Sequence, residues 1–199
     1  MPEVRRATVA ELPRVGQALA AAFADDPVWS WLVSPTIDWA ARAPGFYAAE
    51  ARLRLGDEGD GEVLVDDQLR GAALWAGPGH WRTTLRQTLT LAVPSMRMFR
   101  SSVVRGLKTL SIVERHHPDE PHWYLAYLGT EPAHQGHGIG SALIAPVIER
   151  CDAEGLGAYL ESSKESNVAF YARHGFELRD RIELPGGPPM WLMWREPRG

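Results

Sequence analysis

With 199 residues, the chain is long enough for one domain that buries roughly 70% of the surface its unfolded form exposes. Hydrophobic residues at 45% and charged residues at 23% exclude a disordered or coiled-coil chain. A formal charge of −4 withholds the positive field with which general nucleic-acid binders collect phosphates, so no nucleic-acid partner is expected.

The opening residues Met1 to Arg6 lack the apolar core of a secretory signal, and no apolar stretch approaches the ~20 residues that span a bilayer. A cytoplasmic location without a membrane partner is expected. Glu3 to Ala7 predicts a short strand. Thr8 then caps a helix whose Val9, Leu12, Val15, Leu19 and Phe23 fall on one face. Asp25-Asp26-Pro27 ends it, and Val28 to Leu32 opens an aromatic, partly helical stretch that leads into Trp39 to Leu55 and suits the wall of a pocket. Asp25 and Asp26 read in two ways: as a helix-ending turn beside core tryptophans, or as carboxylates that attract an ammonium, with Trp29 or Trp31 as aromatic wall.

Glu62 to Val65 and Leu69 to Ala76, joined by Asp66-Asp67-Gln68, predict a β-hairpin. Trp81 to Arg115 predicts two helices divided at Pro94, whose ring removes a helical hydrogen bond. His116, His117 and His122 invite a metal, but Pro118 and Pro121 break helical spacing and no cysteine supports them, so no metal is expected.

His122 to Thr130 is aromatic and apolar throughout and predicts a central strand. After the turn Glu131 to His134 comes a glycine cluster, then Ile139, Leu143, Ile144, Val147, Ile148 and Cys151 at helical spacing, with a kink expected at Pro146. Cys151, the single cysteine, excludes an intramolecular disulfide and reads as a small apolar filler. Ala158 to Glu161 predicts a strand, Asn167 to His174 a helix stopped by Gly175, and Phe176 to Leu184 with Met190 to Arg195 an antiparallel pair. No repeat or linker divides the chain. The expected fold is a single α/β domain over residues 1–199 with mixed strands.

Gln135, Gly136, His137, Gly138, Ile139, Gly140 and Ser141 place three glycines where a strand passes into a helix. Several backbone N–H groups can point outward there without Cβ obstruction, and the helix N-terminus adds partial positive charge. That arrangement suits a diphosphate without requiring lysine. A Walker A loop is excluded because no lysine stands between Gly140 and Ser141. The Gly-x-Gly-x-Gly spacing also departs from the dinucleotide fingerprint.

Gln135 to Gly140 matches every fixed position of Gln/Arg-x-x-Gly-x-Gly/Ala, and Asn167-x-x-x-Tyr171 followed by Gly175-Phe176 supplies a second motif about 30 residues on. Together they resemble the GNAT superfamily of N-acetyltransferases. Within it the chain is most similar to the puromycin N-acetyltransferases, along Ala20 to Asp25, Trp123 to Ala126, His134 to Ala142, Leu160 to Ser163 and Asn167 to Phe176, and departs from them between Pro27 and Trp31.

The resemblance implies a mostly antiparallel mixed sheet of about six to seven strands flanked by helices, with a splayed strand pair at an acetyl-CoA site. It implies acetyl-CoA as acyl donor, its diphosphate on residues 135–141 and its pantetheine arm along Leu128-Gly129-Thr130, where the Leu128 N–H is the expected oxyanion donor. Tyr171 matches the family's general acid. Asn167 is expected either at the pantetheine or as a helix cap. Glu161, closing an apolar strand beside the cleft, is the candidate base, with His122 and Tyr124 as rivals. The acceptor is expected to be a primary amine of a small molecule, such as an aminonucleoside antibiotic. A protein amine, or an acetyl-CoA-binding module without turnover, are the alternatives. The state is expected to be monomer or homodimer.

Overall fold

The computed structural model describes residues 2–34, 36–56 and 60–198. Seven strands form one sheet: β1 (Val4–Arg6), β2 (Gly61–Asp66), β3 (Gly71–Ala76), β4 (His122–Thr130), β5 (Gly157–Ser162), β6 (Glu177–Glu183) and β7 (Pro189–Arg195). Their order is β1-β2-β3-β4-β5-β7-β6, antiparallel at every junction except β4 with β5. The helices are α1 (Leu12–Ala22), α2 (Pro27–Leu32), α3 (Trp39–Arg54), α4 (Leu85–Phe99), α5 (Val103–His116), α6 (Ile139–Glu154) and α7 (Val168–Arg173).

Every residue of β2 and β3 is buried, as a strand covered on both faces requires. Successive side chains point to opposite faces, and the two sides separate cleanly. Val63, Val65, Ala72 and Leu74 pack with Leu12, Val15 and Leu19 of α1 and with Phe46 and Tyr47 of α3. Leu64, Ala73 and Trp75 pack instead with Leu143, Ile144 and Val147 of α6. Gly16 lets α1 and α3 approach closely: a Cβ there would lie 2.2 Å from the Pro44 carbonyl oxygen. The β2–β3 turn is closed by Asp66, whose carboxylate accepts from the Arg70 and Gly71 N–H groups at 2.7 and 2.8 Å.

Two local expectations are corrected. The first turn after Thr8 is a 3₁₀ turn over Val9–Glu11, held by the Thr8 N–H donating to the Glu11 carboxylate at 2.8 Å, and it leaves Val9 exposed rather than on the apolar face. The helical stretch before β4 does break in two, but at Phe99–Ser102. Pro94 lies inside α4, where a mostly exposed helix forfeits one hydrogen bond and continues, whereas Arg100 takes φ +45° and cannot. Pro146, where a kink is expected, lies inside α6, which continues past it from Ile139 to Glu154.

Cys151 is buried, and desolvation pushes its thiol up to about 12, consistent with an inert filler. No helix among the described residues is long and apolar enough to cross a membrane.

Candidate active site

The one parallel junction of the sheet opens. β4 and β5 pair only at His122–Gly157, Trp123–Ala158 and Tyr124–Tyr159. Beyond Tyr124, β4 keeps its partner β3 and loses β5, so alternate backbone groups of Leu125 to Thr130 face a gap. Between Leu74–Tyr127 and Trp75–Leu125 the register with β3 shifts by one residue, leaving Ala126 as a bulge beside the gap. A cavity of about 1030 Å3 starts at this opening and reaches from the glycine turn to the aromatic cluster of α2 and α3. Leu128, Gly129 and Thr130 all line it.

At one end lies the glycine turn. Gly136 and Gly138 take φ +79° and +80°, and nothing lies within 4 Å of where a Cβ would stand. Gly138 is also the N-cap of α6, so the first-turn N–H groups of Ile139, Gly140 and Ser141 lack helical partners. The open positive-φ glycines and the helix N-terminus expected from the sequence therefore stand together at this end of the cavity. The members of the turn do different work, however. The Gln135 side chain donates to the Thr130 carbonyl at 3.1 Å, tying the turn to the end of β4. His137 is exposed, its Nδ1 donates to the Gln135 carbonyl at 2.9 Å, and alone in the turn it does not line the cavity. Ile139 is a core side chain, Gly140 makes room for the Phe170 ring, and Ser141 Oγ lies 3.0 Å from His174 Nε2.

Tyr171 and Asn167 enter from α7. Tyr171 is 8% exposed, packs edge-on to Phe170 and Phe176 at 5.1 and 6.0 Å, and its phenol is raised above the ordinary value by desolvation. Asn167 makes no capping hydrogen bond with its side chain and lines the cavity. The capping alternative is therefore removed. Arg173, exposed on the last turn of α7, also faces the cavity near the glycine turn, a cation that the motifs do not single out.

Glu161 points into the middle of the cavity with its side chain 5% exposed. Its Oε2 accepts the Tyr124 hydroxyl at 2.8 Å, which makes Tyr124 a donor and removes it as a rival base. Desolvation, and then the charge of Glu161, hold the Tyr124 phenol well above its ordinary value. His117 Nδ1 lies 3.5 Å from Glu161 Oε1, and its other nitrogen lies 3.0 Å from His122 Nε2. His122 itself does not line the cavity. In the sequence His117 suggests only a metal ligand, whereas His122 also stands as a rival base. Among the described residues no group of three or more His, Cys, Asp or Glu is disposed to hold a metal.

The far end is walled by Trp29, Phe46 and Tyr127, with Asp26, Glu50 and Arg54 among them. Asp26 caps α2 through the Val28 and Trp29 N–H groups at 2.9 and 3.0 Å, as a turn residue does, and it also lines the cavity. Asp25 instead pairs outside with Lys164 at 2.6 Å. Trp29 forms the aromatic wall, whereas Trp31 packs on Gly187 and beneath Arg105. Glu50, desolvated, has its carboxyl raised, and its nearest cation, Arg54, stands 3.9 Å away.

A mixed sheet split at its parallel junction, with a glycine cradle leading into a helix at the split, defines the acetyltransferase class. The model of the Acetyltransferase (GNAT) family matches residues 96–176. An uncharacterized N-acetyltransferase of Schizosaccharomyces pombe is 30% identical over 212 residues, covering 97% of this chain and 83% of that protein. The chain therefore belongs to the GNAT family of N-acetyltransferases and is an acyltransferase. Among solved structures, a protein of Corynebacterium glutamicum described as histone acetyltransferase HPA2 and related acetyltransferase is 26% identical with a TM-score of 0.70, covering 100% of this chain and 97% of that one. The Drosophila melanogaster polyamine N-acetyltransferase, described as forming N-acetylagmatine, shares the fold at TM-score 0.66 and 16% identity over 98% of this chain and 100% of that one.

Proposed function

We propose that this protein, as one domain over residues 1–199, moves the acetyl group of acetyl-CoA onto a primary amine of a small molecule, with an aminonucleoside of the puromycin type as the first acceptor to test. The observation that carries the reading is the single cavity in which the cradle of Gly136 and Gly138, the phenol of Tyr171 and the carboxylate of Glu161 meet. The open space beyond both glycines, the free N-terminal turn of α6 and the exposed Arg173 fit the phosphates of a coenzyme A. The partnerless stretch of β4 fits an amide-rich arm.

Bound acetyl-CoA supplies an activated acetyl carbon. The chain's groups then have separable roles. The aromatic wall of Trp29, Phe46 and Tyr127 encloses an amine and excludes water, while Asp26 and Glu161 favour its arrival as an ammonium. Glu161 takes a proton so that the amine can attack. The Leu128 N–H, facing the gap, stabilises the negative charge that develops on the acetyl oxygen. Tyr171, held protonated by burial, gives its proton to the departing sulfur, a thiolate that the same apolar surroundings also make more basic. It recovers one from the newly bonded nitrogen. One proton leaves to solvent for each amide formed. An aminonucleoside acceptor would make the protein an agent of antibiotic resistance.

A thiol-release assay with acetyl-CoA against puromycin, agmatine, aryl-alkyl amines and lysine peptides tests donor, chemistry and acceptor together. Turnover of a small amine supports the proposal. Turnover confined to peptides reassigns the acceptor. Tight acetyl-CoA binding with no turnover across the panel overturns the catalytic reading.

A further inference from the structure

Behind Glu161 stands a line of groups from three parts of the chain whose hydrogen-bonding roles can be deduced in order. His122 Nδ1 lies 2.5 Å from the Glu120 carbonyl oxygen, which can only accept, so Nδ1 of His122 carries a hydrogen. Burial, reinforced by neighbouring His117, lowers the proton affinity of His122 and favours its neutral form, which leaves a lone pair on Nε2. His117 Nε2, 3.0 Å away, must then donate to it. That turns His117 Nδ1 toward Glu161 Oε1 at 3.5 Å, where it presents a lone pair while the ring is neutral and an N–H once a second proton is bound. Among the described residues the buried Oε1 has no partner within hydrogen-bond distance, while Oε2 is already occupied by the Tyr124 hydroxyl.

With the ring neutral, two lone pairs confront each other in a buried site, and a single added proton converts the conflict into a charge-assisted hydrogen bond. The ring of Trp81 stacks on His117 at 3.7 Å between centroids, covering the pair on its outer side. Both His117 and Glu161 line the cavity.

We propose that His117 Nδ1 and Glu161 Oε1 act as one proton acceptor, with His122 and the Glu120 carbonyl setting the tautomer that turns His117 toward Glu161. This rests on the acetyltransferase reading and deepens it: Glu161 meets the acceptor and His117 is the positioning residue that shares the proton it takes. In the step, an N–H bond of the acceptor ammonium breaks and its electron pair stays on nitrogen. A new O–H or N–H bond forms within the pair, whose net charge goes from −1 to 0. The proton leaves to solvent before the next cycle. The other titratable or charged groups that face the pair are Tyr124 and His122 on β4, Tyr159 on β5, Glu120 before β4, Arg54 on α3 and Glu114 on α5. Both phenols stay protonated across the working range, because burial raises them.

The test uses the full chain labelled with 15N-histidine, titrated between pH 5 and 9, with ring nitrogens read by long-range 15N–1H correlation. His122 is expected to remain the Nδ1–H tautomer. His117 is expected to keep its Nε2–H, and its Nδ1 signal to differ in Glu161→Gln, where the charge that Nδ1 faces is gone. An Nε2–H tautomer at His122, or a His117 Nδ1 signal unmoved by Glu161→Gln, overturns the proposal without touching the acetyltransferase reading. With an amine that turns over, His117→Phe, which keeps the ring against Trp81, should displace the acidic limb of the kcat/KM profile by about one unit. A lowered rate with the limb in place assigns His117 a merely structural role and overturns it. Absence of turnover with every amine sinks the enzymatic reading, while the titration still decides the pair.

Discussion

Ser163, on the loop leaving β5, donates its hydroxyl to the carboxylate of Asp26, a contact across 137 residues of sequence that fastens the opened side of the sheet to the start of α2. Asp26 is 2% exposed and also caps α2. Asp26→Ala removes the cap and leaves the Ser163 hydroxyl without its partner, so thermal unfolding should show a loss of about 1–3 kcal/mol. Asp26→Asn keeps an acceptor for both N–H groups and should cost much less.

The same carboxyl carries a pH signature. Burial raises it from its ordinary value of 3.8, the two N–H donors and Ser163 opposing. A raised acid binds its proton more tightly in the folded state, so its favourable contribution is fully present below 3.8 and lost as pH rises through the higher folded value. Denaturant unfolding of Asp26→Asn measured from pH 3.5 upward should show less of that decline than the parent chain. An identical slope would remove Asp26 from the account.

Tyr171→Phe keeps the packing on Phe170 and Phe176 and removes the proton. If the phenol is the acid, kcat falls by about 100-fold or more while acetyl-CoA affinity, measured by calorimetry, holds within a few-fold. Equal turnover in the two proteins would exclude the role.

Gly138→Ala has open space for its methyl but must hold φ +80°, a conformation costing a non-glycine residue about 1–2 kcal/mol. Relaxing that strain would turn the cradle's N–H groups away, so acetyl-CoA affinity should drop by tenfold or more with only a modest change in Tm. Gly140→Ala has no such strain and meets only the edge of Phe170 at 3.3 Å, so the smaller effect is expected there.

Gly157 stands where β4 and β5 are still paired, and an added Cβ would lie 2.2 Å from the Trp194 ring. Gly157→Ala should therefore lower stability by about 1–3 kcal/mol through displacement of that ring, visible as a lower Tm. Its effect on activity should follow from the altered opening of the sheet rather than from any chemistry at residue 157.

What the sequence by itself determined are features carried by local chemistry. A run such as His122 to Thr130 can only be a covered strand, glycines at 136 and 138 can hold positive φ where other residues strain, and two spaced motifs place the glycine turn and Tyr171 in the right order. The buried Cys151 and the hairpin closed by Asp66 follow from equally short-range rules. Local rules failed where competing local outcomes differ by little energy: Pro94 stays inside α4 and the chain breaks at Arg100 instead. Tertiary structure alone decided the order of the strands, the parting of β4 from β5 after Tyr124, and which of two neighbouring carboxylates or tryptophans turns inward. It also brought His117 to Glu161, residues 44 positions apart whose roles depend on a 3.5 Å approach. Periodicity within a segment reports which face is buried, but the partner across that face is chosen by packing among elements distant in sequence, and hydrogen-bond direction emerges only once those partners have met.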